Sequence, residues 1–212
     1  CWLDSWYVGA VHVTHADHAS ALAFLREPGV IPARVPTGGD EPTVLLADVG
    51  REPLEGAFLD ECVARAMTSG GGFARRMRAP LSILEAQVDF DDVVPLTGII
   101  FHVSRCGSSL PVRICQADPT TTVVPEAEPL DVVVTRLPLS HGARVRALRS
   151  VVAMYARDRT GTTKRLVLKL DAWHLAQYPL FREAFPEVPA VVVVRDPLDV
   201  AVSHAVRRGS HM

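Results

Sequence analysis

The chain has 212 residues, a net charge of −2, 48% hydrophobic residues and 22% charged residues, which is the composition of a folded globular protein with ample core. This charge excludes an overall basic surface for nucleic acid or an anionic membrane, so any anion site must be local. No apolar run reaches the ~18 residues of a membrane span. The four cysteines, Cys1, Cys62, Cys106 and Cys115, lack zinc-site spacing, which favours reduced thiols and a cytoplasmic location.

The first 95 residues contain short elements separated by turns. The sequence predicts, in order, a strand at 8–13, a helix at 16–26, a strand at 43–49, an amphipathic helix at 54–67 and a short helix at 81–86. Prolines and glycines make residues 27–42 a predicted loop-rich passage. No linker separates this part from the rest, so we expect an N-terminal α/β part packed on the same domain.

Residues 96–212 alternate strands and helices. The predicted strands are 98–103, 121–124, 165–170 and 190–194, and the predicted helices are 110–117, a long helix capped by Ser140 and ending near 157, 178–185 and 197–207. The strands are continuously apolar, which predicts a central parallel sheet, buried on both faces, in a three-layer α/β/α fold. In such sheets ligands bind beyond the carboxyl ends of the strands.

The segment that follows the first of these strands indicates an anion site. It reads Ser104-Arg105-Cys106-Gly107-Ser108-Ser109 and joins a buried strand to the start of a helix. Small residues allow backbone N–H groups to turn inward, and the helix N-terminus and the arginine add positive charge. The segment lacks the lysine of a Walker A loop. A tight turn that binds nothing is the alternative.

Polar residues also follow the other strands. Glu126 follows the second strand, residues 169–174 follow the third, and Arg195 follows the fourth, with Ser203 eight residues later. An arginine after so apolar a strand is difficult to explain as core, and together with Ser203 it is placed to bind one phosphate. The alternative is an exposed arginine paired with Asp196 or Asp199.

Two of these motifs resemble those of the sulfotransferases that use 3′-phosphoadenosine 5′-phosphosulfate (PAPS). Arg105 to Ser108 is similar to the [KR]-x-G-[ST] core of the loop that holds the 5′-phosphosulfate in this family, and residues 195–203, RDPLDVAVS, are similar to the R-D-P-x-x-V-x-x-S motif that holds the 3′-phosphate. The resemblance covers about residues 96–208 and is closest to a bacterial branch. It implies a P-loop-NTPase-like sulfotransferase fold, with residues 104–109 (Ser104 to Ser109), Arg195 and Ser203 binding PAPS.

The resemblance further implies transfer of a sulfuryl group from PAPS to a hydroxyl or amine of a small-molecule acceptor, without a metal. Arg105 would neutralise the leaving phosphate, and the candidate general bases are Glu126, then Asp171 and His174. Two departures from the family stand out. Arg105 replaces a lysine that many members carry, and the chain stops at Met212, where relatives continue with a loop over the cofactor. We therefore expect a core that is truncated at its C-terminus.

Two other functions remain open from the sequence. A P-loop phosphotransferase that binds ATP would share the fold, but the missing GK[ST] and the lack of a convincing magnesium-binding aspartate disfavour it. A non-catalytic fragment of the same fold is the third possibility.

Overall fold

The computed structural model describes residues 14–15, 17–39, 41–51, 53–54, 56, 58–69, 75–86 and 92–206. The strands are β1 (Thr14–His15), β2 (Val30–Arg34), β3 (Thr43–Asp48), β4 (Arg76–Pro80), β5 (Leu96–His102), β6 (Thr121–Pro125), β7 (Arg165–Lys169) and β8 (Ala190–Val193). The α-helices are α1 (His18–Leu25), α2 (Leu59–Ser69), α3 (Ser109–Gln116), α4 (Glu128–Asp131), α5 (His141–Tyr155), α6 (Tyr178–Ala184) and α7 (Pro197–Val206). The strand predicted at 8–13 lies outside the described residues.

The second half of the chain forms a four-stranded parallel sheet in the order β6-β7-β5-β8. Its strands and the helices α3, α5, α6 and α7 begin and end within two residues of the predicted bounds, whereas α4 was not predicted. The Ser140 hydroxyl accepts a hydrogen bond from the Ala143 N–H at the start of α5. The predicted α/β class with a parallel sheet flanked by helices is confirmed. Because β6 and β8 lie on opposite sides of β5, the loop after β5 is at the point where the chain changes direction across the sheet, where ligands usually bind.

The two faces of this sheet pack against different layers. One face contributes Ile99, Phe101 and Leu168 to a large core that also contains buried residues of α5 and α6. The other face contributes Ile100, Val123 and Val167 to a small cluster with Val112 of α3. The alternation along each strand that produces these two layers is the ordinary period of two.

The first half of the chain forms a second, mixed sheet in the order β1-β4-β3-β2. The sequence prediction missed β2, which lies in the passage predicted as loop, and β4. Pro32 is compatible with β2 because this is an edge strand, where one row of N–H groups is not needed for pairing. The predicted helix at 54–67 begins only at Leu59, since Gly56 adopts a φ of +147°, outside the helical region.

Buried polar contacts join the second half of the chain to the first half. The Tyr155 hydroxyl, at the end of α5, donates to the Pro32 carbonyl of β2 at 2.7 Å. The next turn places the Arg157 guanidinium on the last carbonyls of α1, 2.8 Å from Leu25 O and 3.0 Å from Arg26 O. A cation there satisfies carbonyls that a helix end leaves without partners. The large apolar core likewise contains residues of both sheets.

The last strand and helix are much more exposed than predicted. The sequence predicts a buried strand at 190–194, and this is wrong for the side chains, because Val191 is 55% exposed and Val194 67% exposed. The strand is at the edge of the sheet, and none of the residues Pro197–Val206 that follow it is buried. Within the described residues, no helix has the length and apolar character needed to cross a bilayer.

Candidate functional site

A cavity of about 770 Å³ opens at the carboxyl ends of the parallel strands. It is lined by all the residues predicted to hold the cofactor, which are residues 104–109, Arg195 and Ser203. It is also lined by Glu126 and Asp171, whereas His174 does not line it. The loops after β5, β6, β7 and β8 therefore meet at one edge of the sheet, as parallel strands require.

The loop between β5 and α3 has the backbone of an anion site. Arg105 and Gly107 both have positive φ angles, 59° and 86°, and α3 begins at Ser109 without a side-chain cap from Ser108. Alternation of conformations of this kind turns successive N–H groups towards the same side, where the helix dipole adds to their field. The left-handed conformation is unfavourable for an arginine, and such strain is found mostly at functional sites.

The two predicted phosphate-binding motifs touch each other. Arg105 Nε donates to Ser203 Oγ at 2.9 Å, and Arg195 Nη1 donates to the carbonyl oxygen of Arg105 at 3.4 Å. Arg195 also pairs with Asp199 at 3.3 Å, which is the exposed ion pair weighed as the alternative. Arg195 also lines the cavity, so both interpretations of this arginine are compatible with its position.

Deeper in the cavity, three titratable side chains converge on one oxygen atom. Lys169 Nζ, at the end of β7, contacts Glu126 Oε1, and His102 Nε2, at the end of β5, lies 3.3 Å from the same atom. The side chains of His102, Glu126 and Lys169 are 8%, 10% and 7% exposed. Glu126 has a φ of 40° and its N–H donates to the Lys169 carbonyl at 2.7 Å, so the backbone holds this residue next to Lys169 and His102.

Burial governs the protonation of this group. It lowers the pKa of Lys169 to about 8, against the attraction of Asp171 and Cys106, and the contact with the Glu126 carboxylate acts in the same direction as that attraction. Burial also lowers the pKa of His102, and the ammonium of Lys169 adds to this effect. At neutral pH the site therefore combines the Lys169–Glu126 contact with a neutral imidazole.

His174 has a structural environment. Its side chain is 1% exposed, Nε2 lies 3.1 Å from Asp131 Oδ1, and Nδ1 accepts from the Asp171 N–H at 3.3 Å. Asp131 also accepts from the Trp173 indole at 2.5 Å and pairs with Arg136 at 2.6 Å. Burial raises the pKa of Asp131, but these hydrogen bonds and the arginine outweigh it and bring the pKa to about 2.

Asp131, Asp171 and His174 form a buried cluster whose contacts indicate a structural role. Ligand-type atoms of Asp131, Asp171 and His174 lie within 4.8 Å of one another, but the Asp131 carboxylate already has four protein partners, because the Thr135 hydroxyl donates to it as well. The cluster therefore stabilises the turn that carries Asp171 and Trp173 into the cavity. The sequence placed His174 among the candidate bases, but its buried side chain does not line the cavity.

Several residues of the cavity were not predicted as site residues. Lys169 belongs to the group 169–174 that the sequence placed at this edge of the sheet, although no role was assigned to it. His102 ends an apolar strand in the same way, and this signal was not used. Trp173, which is 45% exposed, and Phe58 form an aromatic part of the cavity wall. Arg113 also lines the cavity, one helical turn after Ser109. Phe58 comes from the N-terminal half, and nothing in the sequence indicates that this segment reaches the cavity.

Comparison with protein-family models, with curated proteins and with solved structures finds no match for this chain.

Proposed function

We propose that this protein transfers a sulfuryl group from PAPS to a hydroxyl or amine of a small-molecule acceptor, without a metal, on a P-loop-NTPase-like sulfotransferase fold. The observation that carries the proposal is the hydrogen bond between Arg105 and Ser203, which lie 98 residues apart in the chain. Two motifs that resemble the two halves of a PAPS site, each identified independently in the sequence, share one cavity. A cytoplasmic location, favoured by the cysteine spacing, belongs to the same proposal.

The residues around the cavity fit a ligand with two phosphate-bearing ends. Arg105, Ser108, Ser109 and the amides of their loop bind the 5′ end, and Arg195 with Ser203 binds the 3′-phosphate. Bound PAPS supplies an activated sulfuryl group whose transfer needs little covalent help from the protein. Catalysis then consists of holding the acceptor in line and of stabilising charge on the leaving 5′-phosphate, which Arg105 and the α3 N-terminus do.

The acceptor proton needs a base that lines the cavity. Glu126 is the first candidate, because its carboxylate lines the cavity among the strand ends and contacts Lys169. Asp171 also lines the cavity and is the second. His174 is buried behind the site, and its role in this proposal is to hold the turn that carries Asp171.

Titration calorimetry with PAP, the product nucleotide, tests this function. PAP should bind in the presence of EDTA, because protein groups alone supply both phosphate sites, and ATP should not bind. Binding of ATP with Mg²⁺ and not of PAP would instead favour the P-loop phosphotransferase. Binding of neither nucleotide would favour a non-catalytic fragment. A positive PAP result is then followed by incubation with labelled PAPS and a set of hydroxyl and amine acceptors.

A further inference from the structure

The convergence of His102, Glu126 and Lys169 leaves one proton position open. The ring Nδ1 of His102 lies 3.0 Å from the carbonyl oxygen of Val103. Because a carbonyl only accepts, Nδ1 carries the hydrogen of the neutral imidazole. Nε2 is then a bare lone pair, buried, and it makes no well-formed hydrogen bond within the described residues.

That lone pair faces another acceptor. Glu126 Oε1 lies 3.3 Å from His102 Nε2, although the direction of a ring N–H at Nε2 does not allow a hydrogen bond to that oxygen. A proton added at Nε2 would lie beside the carboxylate and would be stabilised by its negative charge. It would turn the group into a net cation. The geometry therefore provides a binding position for one more proton than neutral His102 and ionised Glu126 hold together.

Charges from every surrounding element act on this proton. Glu126 from the end of β6, Asp171 after β7 and the Cys106 thiol in the loop after β5 line the cavity on the acidic side. On the basic side it is lined by Lys169, Arg105, Arg195 and, from α3, Arg113. Burial and the Lys169 ammonium keep His102 neutral when the cavity holds no anion. A phosphate dianion in the loop would oppose the same cations and favour the charged imidazole.

We propose that His102 is a conditional cation of this anion site, which takes up one proton at its buried Nε2 atom, beside Glu126, when a phosphate group enters the loop formed by residues 104–109. The choice of nucleotide for testing this idea rests on the proposed function, but the proton uptake does not. Only a proton is transferred, from solvent to His102, and no other bond forms or breaks. Glu126 remains a carboxylate in the complex.

Calorimetry of ligand binding at pH 7.5 in two buffers of different ionisation enthalpy measures the uptake. We expect close to one additional proton per PAP for the wild-type protein over the His102→Asn variant, whose amide can still donate to Val103. Wild-type affinity for PAP should fall about tenfold per pH unit above neutrality. Adenosine 3′-monophosphate, which lacks the 5′-phosphate, should bind without this uptake. His141→Asn, at an exposed histidine paired with Glu183, is the matched control and should leave the uptake unchanged.

Two further measurements keep the outcomes distinct. If His102→Asn does not fold, Glu126→Gln replaces it, since removal of the carboxylate charge abolishes the uptake for the same reason. If PAP does not bind, inorganic pyrophosphate is the probe, and uptake with it supports the conditional cation although the proposed function fails. Equal proton uptake in the wild-type and variant proteins overturns the inference, as does a failure of both PAP and pyrophosphate to bind.

Discussion

The cavity has two sides that are built differently. The inner side, His102, Glu126 and Lys169, is formed by three neighbouring strand ends and is 10% exposed or less at each side chain. The outer side is formed by Arg105, Arg195 and Asp199. Arg195 and Asp199 form an ion pair, and their side chains are 44% and 60% exposed. Buried charges interact strongly because little water screens them, whereas exposed pairs contribute little. We infer that the fold alone holds the inner side in place, whereas the residues of the outer side make strong interactions only with a bound ligand.

The largest effect is expected at Arg195, on ligand binding and not on folding. Arg195→Ala should weaken PAP binding by about 2–5 kcal/mol, because the 3′-phosphate loses its charged partner. Adenosine 5′-phosphosulfate, which has no 3′-phosphate, should lose almost nothing. Calorimetry on variant protein that still melts cooperatively measures both ligands.

Arg105→Ala is the matched control for this experiment, because Arg105 faces the 5′ end that both ligands share. It should weaken both ligands. Equal losses for the two ligands with Arg195→Ala would show that Arg195 acts through the structure of the loop, which its hydrogen bond to the Arg105 carbonyl makes possible. The division of the two phosphate sites would then fail.

The second effect concerns the stability of the inner side. A double-mutant cycle with Lys169→Met and Glu126→Gln should give an interaction free energy of about 3 kcal/mol, because each single variant leaves a buried partner without its counter-charge. Urea unfolding at pH 7 measures the four proteins. The double variant should be more stable than the sum of the single changes predicts, and simple additivity would remove the distinction between the two sides.

A third prediction concerns Glu128, a buried carboxylate that forms no ion pair within the described residues. Glu128, the first residue of α4, accepts a hydrogen bond from the Val35 N–H at 3.0 Å, and burial raises its pKa to about 7 against the influence of that hydrogen bond and of Arg34. The folded state therefore binds the Glu128 proton more tightly than the unfolded state. The stabilisation that protonated Glu128 gives the folded state is fully present below pH 4.5, and it is lost as the pH rises through 7.

Glu128→Gln should accordingly stabilise the protein at pH 8 by about 2 kcal/mol and much less at pH 5, as urea unfolding at the two pH values would measure. The amide oxygen can still accept from Val35. Glu183→Gln, at a glutamate that is 54% exposed, is the matched control without this pH dependence. The same gain at both pH values would indicate a packing effect in place of a titration.

The smallest effect is expected for the outer ion pair. A double-mutant cycle with Arg195→Ala and Asp199→Asn should give about 0.5 kcal/mol or less, because both side chains are exposed. Arg195 precedes α7 and Asp199 lies in its first turn, and this helix has no buried residues. Thermal unfolding at low and at high salt measures the interaction. An interaction as large as that of the inner pair would contradict the comparison.

The same two sides separate what the sequence predicted from what it did not. Residues 104–109, Arg195 and Ser203 were named from the sequence because each belongs to a contiguous motif, and they line one cavity. The inner group was anticipated only in part, since Glu126 was named as a site residue, Lys169 was placed at the sheet edge without a role, and His102 was not predicted. His102, Glu126 and Lys169 come from three strands, and their contact depends on β7 lying between β5 and β6. Strand order is not a property of any single segment.

By itself the sequence determined the parallel-sheet elements of residues 96–206, because apolar runs, a good N-cap at Ser140 and the proline at the start of α7 are local signals. Only the tertiary structure decided that β2 is a strand despite Pro32, that β8 is an exposed edge, and that His174 is buried behind the site. Each of these outcomes depends on which element lies alongside, and burial and pairing are set by neighbours that are distant in the chain. A local pattern fixes which residues are apolar or charged, but the packing of the sheets decides which of them meet.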